Sequence, residues 1–187
     1  MDWIIPGTVL KGNRAEAAHI PDQFRSMFLG GGMVLSQVSA VTGLEPHTVQ
    51  NWVRRGFLTP PEKKRYTLRQ LCRIININTL KGALPIESVC SLLGYINGQL
   101  NDESDDIIDD SVLYFMFVGL AARAKELYEP AEADQLLKQT TENYKEPVPG
   151  AKQRVEKALR IMLTAYLAAR MRTEAENMLQ KLKESQL

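Results

Sequence analysis

Apolar residues recur along the chain at helical spacing, in short segments punctuated by glycine, proline and acidic runs. Leu35, Val38 and Val41 stand three apart with Gly43 behind them, which predicts a short helix and its C-terminal stop. Glu45 and Pro46 open a second, because proline at the first helical position gives up only an N–H that has no helical partner. Val49, Trp52 and Val53 fall at i, i+3 and i+4 and form its inner stripe. His47, Thr48, Gln50, Asn51, Arg54 and Arg55 are left outside, and Gly56 closes the segment. Two helices joined by a three- or four-residue turn with a glycine predict a helix-turn-helix.

Residues 57–61, with two consecutive prolines, should be extended. Lys63, Lys64 and Arg65 then make a basic hairpin tip, and Tyr66 can turn inward. Thr67 is a good N-cap for a third helix carrying Leu68, Leu71, Cys72, Ile75 and Leu80 and ending at Gly82. A fourth starts at Pro85 or Ile86, with Ile86, Val89, Leu92 and Leu93 inward.

The flanks read differently. Residues 1–32 form an arm in which Phe24, Met27 and Phe28 offer one apolar face before Gly30, Gly31 and Gly32. Residues 98–110 are a polar, acidic connector, whose carboxylates should be solvated while Asp109, Asp110 and Ser111 cap the next helix. Within 111–187 three helical stretches follow, 112–129, 131–144 and 151 onward. The first is apolar nearly all round through Leu120, which suits a central buried helix. In the last, Val155, Leu159, Met162 and Tyr166 form an a/d-like row and a candidate dimer seam. Thr173 with Glu176 is a capping box that offers a break into a final helix. The expected architecture is all-α, with 33–97 as the functional unit and 111–187 as a helical dimerisation or effector region.

Charge sharpens this picture. The formal net charge of the 187 residues is +1, yet 33–82 carries eight Lys/Arg against two acids, and 83–118 carries seven acids and no base. Such segregation points to a polyanion-binding segment beside an acidic connector. Cys72 and Cys90 lie in apolar-periodic segments and read as two buried thiols.

Other classes find little support. Asp2 and Pro6 interrupt what would be a signal peptide, and the most apolar window, 112–122, is too short to cross a membrane, so a cytoplasmic protein is expected. Residues 102–106 lack the glycine of a calcium loop, no phosphate-cradling loop follows a strand, and no nucleophile–base pairing is suggested. Neither an enzyme, a metal site nor a cofactor is expected.

Residues 33–97 resemble the DNA-binding domain of the MerR regulators. The resemblance runs through SQVSAVTGL, then EPHTVQNWVRRGFL as recognition helix, PPEKKRYTLRQL as wing and third helix, and LKGALPIESV into the fourth. Extended through LYFMF at 113–117, it comes closer still to an uncharacterised MerR-like bacterial family described only as a domain of unknown function. The resemblance implies a winged helix-turn-helix followed by a C-terminal helical bundle. The implied function is a homodimeric, sequence-specific regulator on double-stranded DNA; whether a small-molecule effector binds near Tyr114, Phe115, Phe117 and Tyr128 is left open, and a plain helical core is the favoured reading there. An adaptor that binds other proteins through the same units is the alternative.

On the residues themselves, Gln50 and Asn51 can pair bidentately with adenine, and Arg54 with guanine or phosphate. Lys63, Lys64 and Arg65 add sequence-independent phosphate attraction. Two departures from the MerR pattern stand out: Gln50 replaces a usual arginine, and Lys63-Lys64 a usual Tyr-Arg pair, so base preference does not carry over. His47 matches a family position that can touch phosphate.

Overall fold

The computed structural model describes residues 3–124 and 130–184. In the arm, β1 (Trp3–Ile4) and β2 (Lys11–Gly12) pair antiparallel, Trp3 opposite Gly12. A 3-10 turn (Arg14–His19) leads into α1 (Ile20–Ser26). Then come α2 (Leu35–Thr42), α3 (Pro46–Arg54), α4 (Leu68–Leu80), α5 (Ile86–Asn97), α6 (Asp110–Arg123), α7 (Pro130–Thr140) and α8 (Ala151–Glu184). The chain is mostly helical, as the periodicity predicts. Among the described residues no helix is long and apolar enough to cross a membrane.

The centre of the molecule is α4. Thr67 and Gln70 cap it reciprocally: the Gln70 N–H donates to Thr67 Oγ1 at 3.1 Å, and the Thr67 N–H donates to Gln70 Oε1 at 2.9 Å. Leu71, Cys72, Ile74, Ile75, Ile77 and Leu80 are buried, and so are Arg73, Asn76 and Thr79. The helix is thus enclosed almost all round, by α2, α5, α6 and α8. Sequence pattern assigned the central place to 112–129 instead. There, α6 buries Leu113, Tyr114, Phe117, Val118 and Leu120 but leaves Val112 exposed and Phe115 half-buried. It ends at Arg123, and 125–129, with Tyr128, lie outside the described residues.

The arm is docked. Gly7 has φ +73°, and a Cβ there would lie 2.2 Å from Thr79 Oγ1 and 2.5 Å from the Ile75 carbonyl, so only glycine lets the turn lie flat on α4. Asn78 Nδ2 donates to the carbonyls of Gly7 and Thr42, at 2.9 and 3.0 Å. Tyr114 Oη donates to the Pro6 carbonyl at 3.0 Å. Phe24 is buried against Tyr114, with Met27 left exposed.

Three expectations need correction. The acidic connector is not simply solvated: Asp106 pairs with Arg69, and Asp110 is buried against Arg73. Charge complementarity with α4 holds it down. Val155, Leu159 and Met162 are fully buried and Tyr166 nearly so, packed inside the chain's own core, so that row is no dimer seam. Finally, α8 runs unbroken past Thr173, whose hydroxyl donates to the Ala169 carbonyl at 3.0 Å instead of capping a new helix. Of the two thiols, Cys72 is buried and Cys90 half-buried.

Candidate nucleic-acid interface

The presentation of α3 follows from its ends. The Gly43 N–H donates to the Ser39 carbonyl at 2.8 Å, with Gly43 in the left-handed conformation (φ 69°) that ends α2 and turns the chain. Pro46 then starts α3, and Val49 and Trp52 anchor its inner side. His47, Gln50, Asn51, Arg54 and Arg55 are exposed as expected, while Thr48 is half-buried.

Beyond α3 the chain forms the hairpin. The Arg65 N–H donates to the Glu62 carbonyl at 2.8 Å, closing a two-residue turn on Lys63 and Lys64. Both lysines have positive φ, 48° and 63°, and both are exposed. Tyr66, buried at the hairpin's foot, exchanges two backbone hydrogen bonds with Met33, at 2.7 and 2.9 Å. Burial also holds its phenol above the ordinary value.

Gln70 and Arg73, which sequence reasoning did not single out, set where the hairpin stands. Gln70 Nε2 lies within hydrogen-bonding distance of Thr59 Oγ1 (2.9 Å) and the carbonyls of Thr59 and Pro60 (3.2 and 3.0 Å). Arg73 Nε donates to the Phe57 carbonyl at 3.1 Å. The Thr67-x-x-Gln70 spacing carried the signal for the first of these. Nothing in periodicity marks an arginine as buried.

The candidate contacts divide in two. Gln50 and Lys64 border one cleft between α3 and the hairpin, and His47, Asn51 and Arg54 lie on the same outer side of α3. Arg55 turns away: its Nη2 sits 2.6 Å from Glu87 Oε1 and its guanidinium lies over the Phe57 ring at 4.5 Å. Its own backbone N–H, and then Arg55, hold the Glu87 carboxyl below the ordinary value. Arg65 folds back to donate to the Gly32 carbonyl at 2.9 Å. With Arg69 and Arg73 engaged by acids inside the fold, much of the basic surplus of 33–82 is neutralised internally. The cations free to face a polyanion concentrate at the lysine turn and Arg54.

The chain's similarity to known proteins falls on this same region. Residues 32–117 match the family model DUF1836, a domain of unknown function. No curated protein and no solved structure matches the chain. The matched stretch takes in α2 to α5, the connector and α6 as far as Phe117, so it includes both partners of the Arg73–Asp110 contact. The arm up to Gly31, which packs against α4 and α6, falls outside it.

Proposed function

We propose that the protein is a sequence-specific regulator of transcription that binds double-stranded DNA through a MerR-like winged helix-turn-helix, acting in the cytoplasm as a homodimer. In this reading α3 enters the major groove and the lysine hairpin is the wing. One observation carries it: the wing turn places two lysines at left-handed φ, where Asn-Gly is the unstrained choice. Left-handed backbone costs an ordinary residue about 1–2 kcal/mol. Strain kept at an exposed cationic tip is accounted for by a polyanion that the tip must meet.

The second half of α8 supports the dimer. Ile161, Met171, Ala175, Met178 and Leu182 form an exposed stripe on the side opposite Val155 and Leu159, with Met171 68% and Met178 63% exposed. From Met171 onward the spacing alternates four and three, as in a coiled coil. Glu174 and Lys181 both flank the stripe at g positions, and g faces g between antiparallel helices, so a second copy running the opposite way pairs them. The adaptor reading draws on the same stripe but requires no preferred DNA sequence.

Selection of bound fragments from genomic DNA with the purified protein is the decisive experiment. The regulator reading expects one enriched sequence with two related half-sites, and retention that falls steeply with salt. Retention without enrichment, or none at low salt, would leave the adaptor reading in its place.

A further inference from the structure

The cleft between α3 and the hairpin has a volume of about 550 Å³. Leu35, Val53, Pro61 and Tyr66, all buried or half-buried, form its floor, and the exposed Gln50 and Lys64 its two rims. An apolar trough between a neutral amide edge at Gln50 and a cationic edge at Lys64 is an odd surface to aim at a polyanion. On a duplex, however, the convex features are the sugar-phosphate ridges. A helix in the major groove with a hairpin beside it must let one ridge pass between them. That ridge presents phosphate charge to the rims and sugar carbons to the floor.

We infer that this cleft seats one deoxyribose of the DNA backbone, and that its apolar floor is where the protein selects DNA over RNA. The inference rests on the DNA-binding reading. At C2′ deoxyribose offers only hydrogens, which lose nothing against Leu35, Val53 and Pro61. A 2′-oxygen substituent in the same place needs room that Leu35, Val53 and Pro61 fill, and it sheds its water against aliphatic carbon. Lys64 supplies the charge complement on one rim, held outward by its left-handed backbone.

The test uses the full chain and a duplex carrying the selected site, with a single 2′-O-methylribonucleotide moved one position at a time along each strand. One position per half-site should lose about tenfold in affinity or more. Val53→Ala, which deepens the floor, should bring that modified duplex to within about threefold of the same variant's affinity for unmodified DNA. Leu35→Ala opens the trough from its other wall and provides the second readout should Val53→Ala fold poorly. Even tolerance along both strands overturns the inference while leaving DNA binding intact. So does a sensitive position that neither substitution relieves. If no duplex binds at any salt concentration, the DNA-binding reading falls and takes this inference with it.

Discussion

Arg73 Nη1 on α4 lies 3.4 Å from Asp110 Oδ2 at the start of α6, with both side chains buried. The same guanidinium donates through Nε to the Phe57 carbonyl, so one side chain ties α6 to α4 and to the segment that leads into the hairpin.

The two partners should respond unequally to removal. Burial raises the Asp110 carboxyl above its ordinary 3.8, more than Arg73 and Arg69 lower it, and Oδ1 has no hydrogen-bond partner. A carboxyl with a raised folded value adds stability that is complete below the unfolded value and lost as pH rises through the folded one. Asp110→Asn should therefore cost about 1 kcal/mol or less at neutral pH and remove that slope. Arg73→Met strands a buried carboxylate and should cost about 3–5 kcal/mol. Urea unfolding at pH 7 and across the acid range checks both, and equal losses would show that the pair acts as a simple salt bridge.

Relieving the lysine turn should trade binding for stability. Lys63→Asn with Lys64→Gly restores the residues that a two-residue hairpin favours and should raise stability by about 1 kcal/mol. Affinity for every DNA sequence should fall together, and the salt slope should drop by about two, one for each phosphate that no longer meets a lysine. Denaturation midpoints and salt titrations of the same sample measure the two effects. A variant no more stable than the parent would mean that the turn carries no strain.

If α3 binds DNA, Glu87, which pairs with Arg55, should compete with phosphate for that guanidinium. Its replacement by glutamine frees the guanidinium, so binding to specific and scrambled duplexes should tighten severalfold at low salt and steepen in salt dependence by up to about one unit. The pair is exposed, and the melting temperature should barely move. Weaker binding in Glu87→Gln would show instead that the acid aims Arg55 at DNA.

Helix and wing should divide the labour. Gln50→Ala and Asn51→Ala should each cost about 1–3 kcal/mol on the selected site and little on scrambled DNA. Lys63→Ala, Lys64→Ala and Arg65→Ala should weaken both duplexes alike. Of the three, Arg65→Ala should act least, since its guanidinium already serves the Gly32 carbonyl. Sequence choice that shifts with the wing variants would reverse the groove assignment.

Association should depend on the far half of α8. Met178→Glu places a charge in the exposed stripe and should yield a folded monomer by sedimentation, with weaker and non-cooperative DNA binding. Removing 151–187 altogether should instead give insoluble protein, because Val155, Leu159 and Met162 are core.

The local elements were legible because their signals are local. Gly43, Pro46, Thr67 and the Val49–Trp52 stripe fix α2, α3 and the start of α4 through capping and period alone, and the hairpin follows from what lies between. The centre was not legible. Arg73, Asn76 and Thr79 interrupt the apolar pattern of α4, and only tertiary partners such as Asp110 show them to be buried. Arg73, together with Arg69, also inflated the basic count of 33–82, since a charge tally cannot see that both meet acids 37 residues downstream. In α8 the apolar stripe changes sides along one continuous helix. The Thr173-x-x-Glu176 spacing reads as a cap and hence a break, although the Thr173 hydroxyl bonds back to Ala169 inside the helix.

Gly7 shows how little of this surface is portable. The family-like stretch begins at Gly32, but the turn around Gly7 closes the back of the helix on which the wing is built, and it receives the hydrogen bonds of Asn78 and Tyr114. A fragment trimmed to 32–117 would keep α2, α3 and the hairpin entire and still leave Ile75 and Phe117 facing water. Grafted onto another protein, α2 to α5 would need a substitute for the arm as well as for α8, so the surface formed by α3 and the hairpin moves only with both.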